Sequence, residues 1–330
     1  DKPKADFIVV TAGNLCTNLP VTIQDKSTVN FGAITKTEVY WEWPNASIVT
    51  TDDTPTPDKQ YTHLYGNFNA PATKTVQIRF VAYSGGICVN DVVKTITLQA
   101  SPKVAFQTIP GICLDATPRI ITQANDVAGL PGTFVYSGNG VAANGLFTPT
   151  IPGVGTHTIK YVYQTAAGCK DSSTNTITVW PRPSANFNVD APTCVTQQVV
   201  FRDASVPNFS QLATWNWTMG DGNSYTKTTA AAFTHVYANT GNTNITLSVI
   251  TDSGCTSVPV TKSINVHPLP VVAFTMPTVC MPVGTATFTD QSTIADGSQA
   301  QFTYRWNFGV AGANSTLKNP TYNYPAVASY

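Results

Sequence analysis

ATWNWTMGDGN, residues 213–223, sets an acid between two glycines just after two tryptophans. Read alone, it suggests a metal loop, a sugar platform or a catalytic corner. Two sister segments change that reading. VYWEW (39–43) and YRWNF (304–308) fall at the same place in an internal period. In an extended strand, alternate residues share a face. Val39, Trp41 and Trp43 then line one face, as do Ala213, Trp215 and Trp217, and Tyr304, Trp306 and Phe308. The segments continue as PNAS (44–47), TMGDG (218–222) and FGVAG (308–312), so the aromatic positions recur while the acid does not. The pattern predicts a core strand followed by a turn, with Trp41, Trp43, Trp215, Trp217 and Trp306 as core aromatics.

Other marks share that period. Pro-x-x-x-Phe occurs at Pro3/Phe7, Pro102/Phe106, Pro183/Phe187 and Pro270/Phe274. Alternating runs ending at Leu98, Val179 and Val266 precede the last three of these. Strands ending on Asp25, Asp203 and Asp290 follow the first strand of three units. A later period-two strand carries Val76, Ile78 and Phe80; Ile159, Tyr161 and Tyr163; or Ile245, Leu247 and Val249. One apolar and one wet face is the signature of antiparallel sheets packed face to face. The expectation is an all-β tandem array of immunoglobulin-like β-sandwich modules at 1–101, 102–182, 183–269 and 270–330, the last incomplete. Pro-containing linkers would stiffen the joints of a quasi-linear array.

Composition narrows the function. Hydrophobic residues make up 42% of the chain and charged residues only 11%, with a formal net charge of +0; roughly 25% charged is usual. A neutral chain lacks the basic field that nucleic acid or an anionic membrane requires. No apolar run reaches the ~18 residues of a membrane span. The chain starts at Asp1 without an initiator Met or signal-like segment, which suggests a processed or excised piece.

The seven cysteines fall on the same ruler. Cys16, Cys113, Cys194 and Cys280 each follow a first strand. Cys88, Cys169 and Cys255 each sit in a Gly-containing turn before a last strand. One early and one late cysteine per module predicts bridges Cys16–Cys88, Cys113–Cys169 and Cys194–Cys255, with Cys280 paired beyond residue 330. Without a Cys-x-x-Cys pair, a structural zinc site fits poorly. Bridges imply an oxidising, extracytoplasmic home.

Candidate chemistry is sparse. Asp203, Asp221 and Asp252 could converge on calcium, but they lack the alternating oxygen donors of an EF-hand loop. Gly-Asp-Gly also makes a good hairpin turn. His63 and His235 share a slot that Tyr322 fills in the fourth module, which argues against a catalytic base. No hydrolase, metalloprotease or phosphate-loop motif occurs, and GNGVAANG (138–145) misses the dinucleotide spacing. Asn45, Asn208, Asn244 and Asn314 open glycosylation sequons, and so does Asn216 within a strand. The reading is therefore no enzyme, no catalytic residue and no cofactor.

With the strands placed, the third and fourth modules resemble PKD domains. FRDAS and FTDQS, WNWTMGDG and WNFG, FTHVY and PTYNY, and ITLSVITDSGC carry the resemblance. The first module, with WEWPNAS, is a degenerate relative. The second, with YSGNGV, GLFTPTIPGVGTHTIKYVY and AAGC, resembles the Ig-like repeats that accompany PKD domains in large secreted surface proteins of Bacteroidota. These include type IX secretion cargo and gliding-motility adhesins. The resemblance implies a stalk segment of a cell-surface adhesin whose partners are its neighbouring modules, with any glycan or surface ligand bound elsewhere. An accessory carbohydrate- or protein-binding array of a secreted degradative enzyme is the alternative, and a filament subunit a third.

Overall fold

Threonine-rich alternation becomes mainly antiparallel sheet, with two short parallel pairings at Leu15–Cys16 and Ile112–Cys113, in a computed structural model that describes residues 1–191, 193–275, 278 and 284–326. The chain divides into two units, Asp1–Trp180 and Pro181–Tyr330. Cys280 lies outside the described residues.

In the first unit, β1 (Phe7–Val9), β2 (Leu15–Cys16), β3 (Val21–Asp25), β4 (Lys36–Trp43), β5 (Asn45–Asp52), β6 (Gln60–His63), β7 (Thr73–Ser84) and β8 (Cys88–Gln99) form one sandwich. Its sheets run β1-β3-β6 and β2-β8-β7-β4-β5. Phe7, Ile23, Trp41, Ile78, Phe80 and Leu98 are buried between them. Burying each such side chain stabilises the fold by about 1.5–3 kcal/mol.

A second sandwich follows in the same unit, from β9 (Val104–Phe106), β10 (Ile112–Cys113), β11 (Arg119–Ile120), β12 (Ala124–Asp126), β13 (Gly132–Gly138), β14 (Leu146–Phe147), β15 (Gly155–Thr165) and β16 (Lys170–Trp180). Its larger sheet runs β10-β16-β15-β13, while β9 pairs with β12 and β11 with β14. Tyr136, Phe147, Ile159, Tyr161 and Ile177 fill its core.

The second unit begins with β17 (Phe187–Val189), β18 (Gln198–Asp203), β19 (Leu212–Thr218), β20 (Ser224–Lys227), β21 (Phe233–Val236), β22 (Gly241–Thr251) and β23 (Val260–Val266). Sheets β17-β18-β21 and β20-β19-β22-β23 enclose Phe187, Phe201, Trp215, Trp217 and Leu247. The unit ends with β24 (Thr285–Thr287), β25 (Trp306–Asn307), β26 (Asn314–Ser315) and β27 (Thr321–Asn323). There a smaller core forms around Ala286, Phe288 and Phe308. Trp306 is half-buried at its rim, in ring contact with Phe274 and Phe288.

One predicted core residue is misplaced. Trp41 is buried, but Trp43 is not part of the core. The β4–β7 register shifts between Tyr40 and Trp43, breaking the alternation that would have kept the two tryptophans on one face. The Trp43 ring instead meets Tyr40 edge-on at 5.8 Å, with the Arg79 guanidinium 4.4 Å above it. Trp217 stays inside because β19 pairs with β22 without a shift from Thr214 to Thr218.

The repeated strand-ending aspartates have a structural role. Asp25 accepts the Ser27 N–H at 2.7 Å, Asp203 the Ser205 N–H at 3.1 Å and Asp290 the Ser292 N–H at 2.9 Å. Each closes an Asx turn; Asp25 and Asp203 are the last residues of β3 and β18, whereas the strand expected to end on Asp290 stops at Thr287 and Asp290 makes only an isolated bridge to Phe274.

Candidate functional site

The site with the clearest consequence is the joint between the first and second sandwiches. Cys16 and Cys169 form a disulfide there, with Cα atoms 5.6 Å apart. Cys88 and Cys194 are free thiols, while Cys113 and Cys255 are also disulfide-bonded. This overturns all three within-module pairings. Cys16–Cys88 and Cys113–Cys169 fail because Cys16 and Cys169 are bonded to each other, which leaves Cys88 free, and Cys194–Cys255 fails because Cys194 is free.

Strand length explains the correction. Cys16 lies opposite Gln99, the last residue of β8, whereas Cys88 is the first residue of that strand. A strand of 12 residues separates its ends by roughly 36 Å at about 3.3 Å per residue. A disulfide needs Cα atoms within about 7 Å. The second sandwich repeats the arrangement: Cys113 lies opposite Trp180, at the end of β16, and Cys169 directly precedes the start of that strand. In each of these sandwiches the early cysteine thus stands at the downstream end and the Gly-turn cysteine at the upstream end.

Polar side chains complete the joint. Ser101, in the linker, is fully buried, and Thr17 nearly so. The Ser101 N–H donates to Thr17 Oγ1 at 3.2 Å, and its carbonyl accepts from Asn67 Nδ2 at 3.1 Å. Its hydroxyl donates to Asn18 Oδ1 at 2.8 Å. Across the joint, Asn18 Nδ2 donates to the Lys170 carbonyl at 2.8 Å, and Asn14 Nδ2 donates to the Ala167 carbonyl. Buried linker groups would be costly without partners; here the Ser101 N–H, carbonyl and hydroxyl are all hydrogen-bonded. In the chain-entropy treatment, a loop with a sequence separation of 153 closed by one bridge stabilises the fold by about 5 kcal/mol.

The Gly-Asp-Gly turn has a different logic. Asp221 Oδ1 accepts the Asn223 N–H at 3.0 Å, shaping the turn between β19 and β20. Asp221 Oδ2 lies 2.7 Å from His235 Nε2, and His235 Nδ1 lies 2.9 Å from the Tyr225 hydroxyl. Burial pushes the Asp221 carboxyl up, but the hydrogen bonds from His235 and Asn223 outweigh it and hold its pKa below the usual value. Gly220 has φ +81°, and a Cβ there would lie 2.3 Å from Thr243 Oγ1, so only glycine fits.

The sister slots show what this histidine is for. His235 meets Tyr237 edge-on at 4.6 Å, His63 meets Tyr65 at 4.7 Å, and Tyr322 meets Tyr324 at 4.9 Å. The recurring geometry is a ring wedged against a tyrosine, and among these three slots the acid occurs only in the third module. Asp203 and Asp252 do not join Asp221. Asp203 closes its own turn, and Asp252 bonds to Ser253. Among the described residues no group of three His, Cys, Asp or Glu is arranged to hold a metal ion. The aromatic surface on the outer face of the first module is covered by its own cations. Arg79 lies over Trp43 and Tyr40, and Lys36 lies 5.4 Å over Tyr83. Glu38 accepts from the Tyr40 and Tyr83 hydroxyls.

Residues 180–266 match the PKD domain family. No curated protein matches the chain. The PKD1 domain of Vibrio anguillarum Epp is 24% identical, over 26% of this chain and 93% of that one, with a TM-score of 0.23. A structure from a 1.5-MDa bacterial ice-binding adhesin is 15% identical, over 81% and 97%, with a TM-score of 0.31. Domains A168–A170 of titin are 11% identical, over 80% and 98%, with a TM-score of 0.30. No helix among the described residues is long and apolar enough to cross a membrane. The chain is an all-β array of immunoglobulin-like sandwich modules, and its residues 180–266 are similar to PKD domains.

Proposed function

We propose that this chain is a non-catalytic, tension-bearing stalk segment of a long adhesin on a bacterial cell surface. The observation that carries this reading is the Cys16–Cys169 bridge. It removes the residues between those cysteines from the shortest covalent path between Asp1 and Trp180. Force applied along the first unit then passes from one sandwich to the next through a sulfur–sulfur bond, not through a four-residue linker. The buried hydrogen bonds around Ser101 support the same reading, since they fix the joint even in the absence of load. Disulfide-bonded modules fit an oxidising, extracellular setting. Gliding motility and export by the type IX route are the finer form of this proposal.

Single-molecule pulling from the two chain ends tests it. Reductant is expected to lengthen the full extension by at least roughly 500 Å, the contour of the released loop at about 3.3–3.6 Å per residue. Equal extension in the oxidised and reduced states would sink the proposal.

The accessory-array alternative has one observation in its favour, the outward-turned Trp43 beside Tyr40. Arg79 already occupies a face of the Trp43 ring, which weakens its use as a sugar platform. A glycan array probed with the oxidised chain separates the two readings: binding lost in Trp43→Ala supports the alternative.

A further inference from the structure

Two kinds of cysteine slot recur along the chain. In the first kind the cysteine faces the end of its own module's last strand. Cys16 lies opposite Gln99, Cys113 opposite Trp180 and Cys194 opposite His267, each in a short parallel pairing. The next residue donates its N–H to the carbonyl of that same partner, Thr17 at 3.1 Å, Leu114 at 2.9 Å and Val195 at 2.9 Å. In the second kind the cysteine follows a Gly turn. Cys169 donates its N–H to Thr165 Oγ1 at 3.2 Å, and Cys255 to Thr251 Oγ1 at 3.0 Å. At Cys16 and Cys169 the two kinds are bonded, and the turn cysteine belongs to the following module. Cys194 is a slot of the first kind with a free thiol. The module that follows it is the fourth.

The fourth sandwich is open where a turn cysteine would be carried. In the three complete sandwiches, β4, β13 and β19 pair with β7, β15 and β22, the strands that lead into the Gly turns. The matching strand β25 pairs, among the described residues, only with β26. A groove of about 310 Å³ lies beside it, lined by Phe274, Phe302, Tyr304 and Trp306. Phe274 is 42% exposed, whereas its counterparts Phe7 and Phe187 are 0% exposed. The last strand helps to cover those two. Lys94 lies 4.9 Å over the Phe7 ring and Lys262 5.0 Å over the Phe187 ring, and each donates to the carbonyl of its phenylalanine. In the second module Asn175 donates to the Phe106 carbonyl at 3.1 Å.

We propose that the fourth sandwich is a receptor for a β-hairpin, and that Cys194 ties this hairpin down through the cysteine of its turn. The sister modules specify the ligand. Its first strand carries apolar side chains at alternate positions, like Ile245, Leu247 and Val249, to pair with β25 and fill the groove. Its turn ends in Gly-Cys. Its last strand carries a lysine or asparagine to reach Phe274, as Lys94, Asn175 and Lys262 do four residues before Leu98, Val179 and Val266. In the third module β21 leads into β22 across the short step from Val236 to Gly241. The hairpin therefore comes from the same polypeptide that supplies β27, and the proposal rests on the reading of this chain as a segment. The bond forms by thiol–disulfide exchange. A small-molecule disulfide takes up the turn cysteine as a mixed disulfide and releases one small thiol. The Cys194 thiolate, its proton given to solvent, then attacks the turn sulfur and expels the second. The two electrons lost by the protein thiols reduce the small disulfide.

The probe is a synthetic peptide with the sequence of residues 241–266, its cysteine held as a thiopyridyl mixed disulfide. It is added to the oxidised chain, and peptide mapping follows its coupling to Cys194 and Cys88. A seated hairpin gives the two sulfurs a high effective concentration, so Cys194 should couple at least about tenfold faster with this peptide than with a scrambled one. Cys88, which follows a Gly turn and is a slot of the second kind, should show no preference. Leu247→Asp in the peptide should remove the preference and Lys262→Ala should reduce it, with the chain itself unaltered. Cys194→Ser should still bind the peptide, read by fluorescence anisotropy, without coupling. Equal rates with hairpin and scrambled peptide, the same preference at Cys88, or no binding to Cys194→Ser overturns the proposal. Pulling reports on the Cys16–Cys169 bridge alone, so failure of the stalk reading and failure of this one give different results.

Discussion

The first and third modules are built on one plan and close it with different chemistry. Both place a tryptophan from the matching strand in the core, Trp41 of β4 in one and Trp215 of β19 in the other. Both wedge a histidine against a tyrosine. Yet in the first module a register shift turns the second tryptophan outward, its histidine stacks on Trp41 at 5.2 Å, and its early cysteine is oxidised. In the third, the second tryptophan stays inside, the histidine is bound by an aspartate, and the early cysteine is free. The shared features are what the fold needs. The differing ones are local solutions, and mutation should separate the two kinds.

The largest contrast lies in the core tryptophans. Trp217→Ala removes a ring buried against Phe187 and Phe233 and is expected to cost about 3–5 kcal/mol. Trp43→Ala, at the equivalent sequence position, should cost about 1 kcal/mol, since it deletes only the half-exposed contacts with Arg79 and Tyr40. Urea unfolding of each variant checks this. Equal losses would mean that the register shift in the first module is wrongly placed.

The early cysteines come next. Cys16→Ser is expected to lower the stability of the Asp1–Trp180 unit by about 2–5 kcal/mol, whereas Cys194→Ser should change little. Non-reducing peptide mapping should link the Cys16 and Cys169 peptides and show alkylation at Cys88 and Cys194 before reduction. A Cys16–Cys88 linkage would restore the within-module pairing.

Asp221→Ala follows. It strips the buried His235 of its Nε2 partner and the turn of its Asx bond, at an expected cost of about 1–3 kcal/mol. Because the Asp221 pKa is depressed in the folded state, its contribution is present above the unfolded value of about 3.8 and lost as pH falls through the folded one. The gap between wild type and the Ala variant should therefore narrow as pH falls below about 3.8, a comparison that thermal unfolding between about pH 2 and 7 can make.

Much of this was legible in the sequence. The aromatic positions, the period and the strand-ending aspartates are set by alternation and turn chemistry, both local rules. Reading TWNWTMGDGN as strand and turn needed only its two sister segments. Trp43 was misread because alternation assumes unbroken pairing, and a register shift is a property of the neighbouring strand. The cysteine pairing was misread because counting one early and one late cysteine per module ignores where the strand carries each of them. Strand length was available: a run from Cys88 to Gln99 is too long to return to its own start. The His235–Asp221 contact, by contrast, depends on how β21 packs against a turn on the opposite sheet, which no local pattern encodes.

The smallest effect, and the finest test of the comparison, is at His63. Burial holds its pKa below the usual value, and Glu42 opposes this only in part. No hydrogen-bonded acid shares its slot. A histidine whose pKa is lowered by folding favours the neutral ring in the native state. Its stabilising share is full above the unfolded value of about 6.5 and declines as pH falls from there toward the folded value. The first module should thus begin to weaken in mild acid, where Asp221 of the third is still ionised. His63→Tyr copies the fourth module, where Tyr322 stacks on Phe308 at 4.7 Å. It should preserve the wedge against Tyr65 and abolish the mild-acid loss. Fluorescence-detected unfolding between pH 5 and 7.5 measures both. If the tyrosine variant kept the wild-type pH slope, the slope would belong to another group, and the idea that the slot needs only a ring, with titration incidental to it, would lose its support.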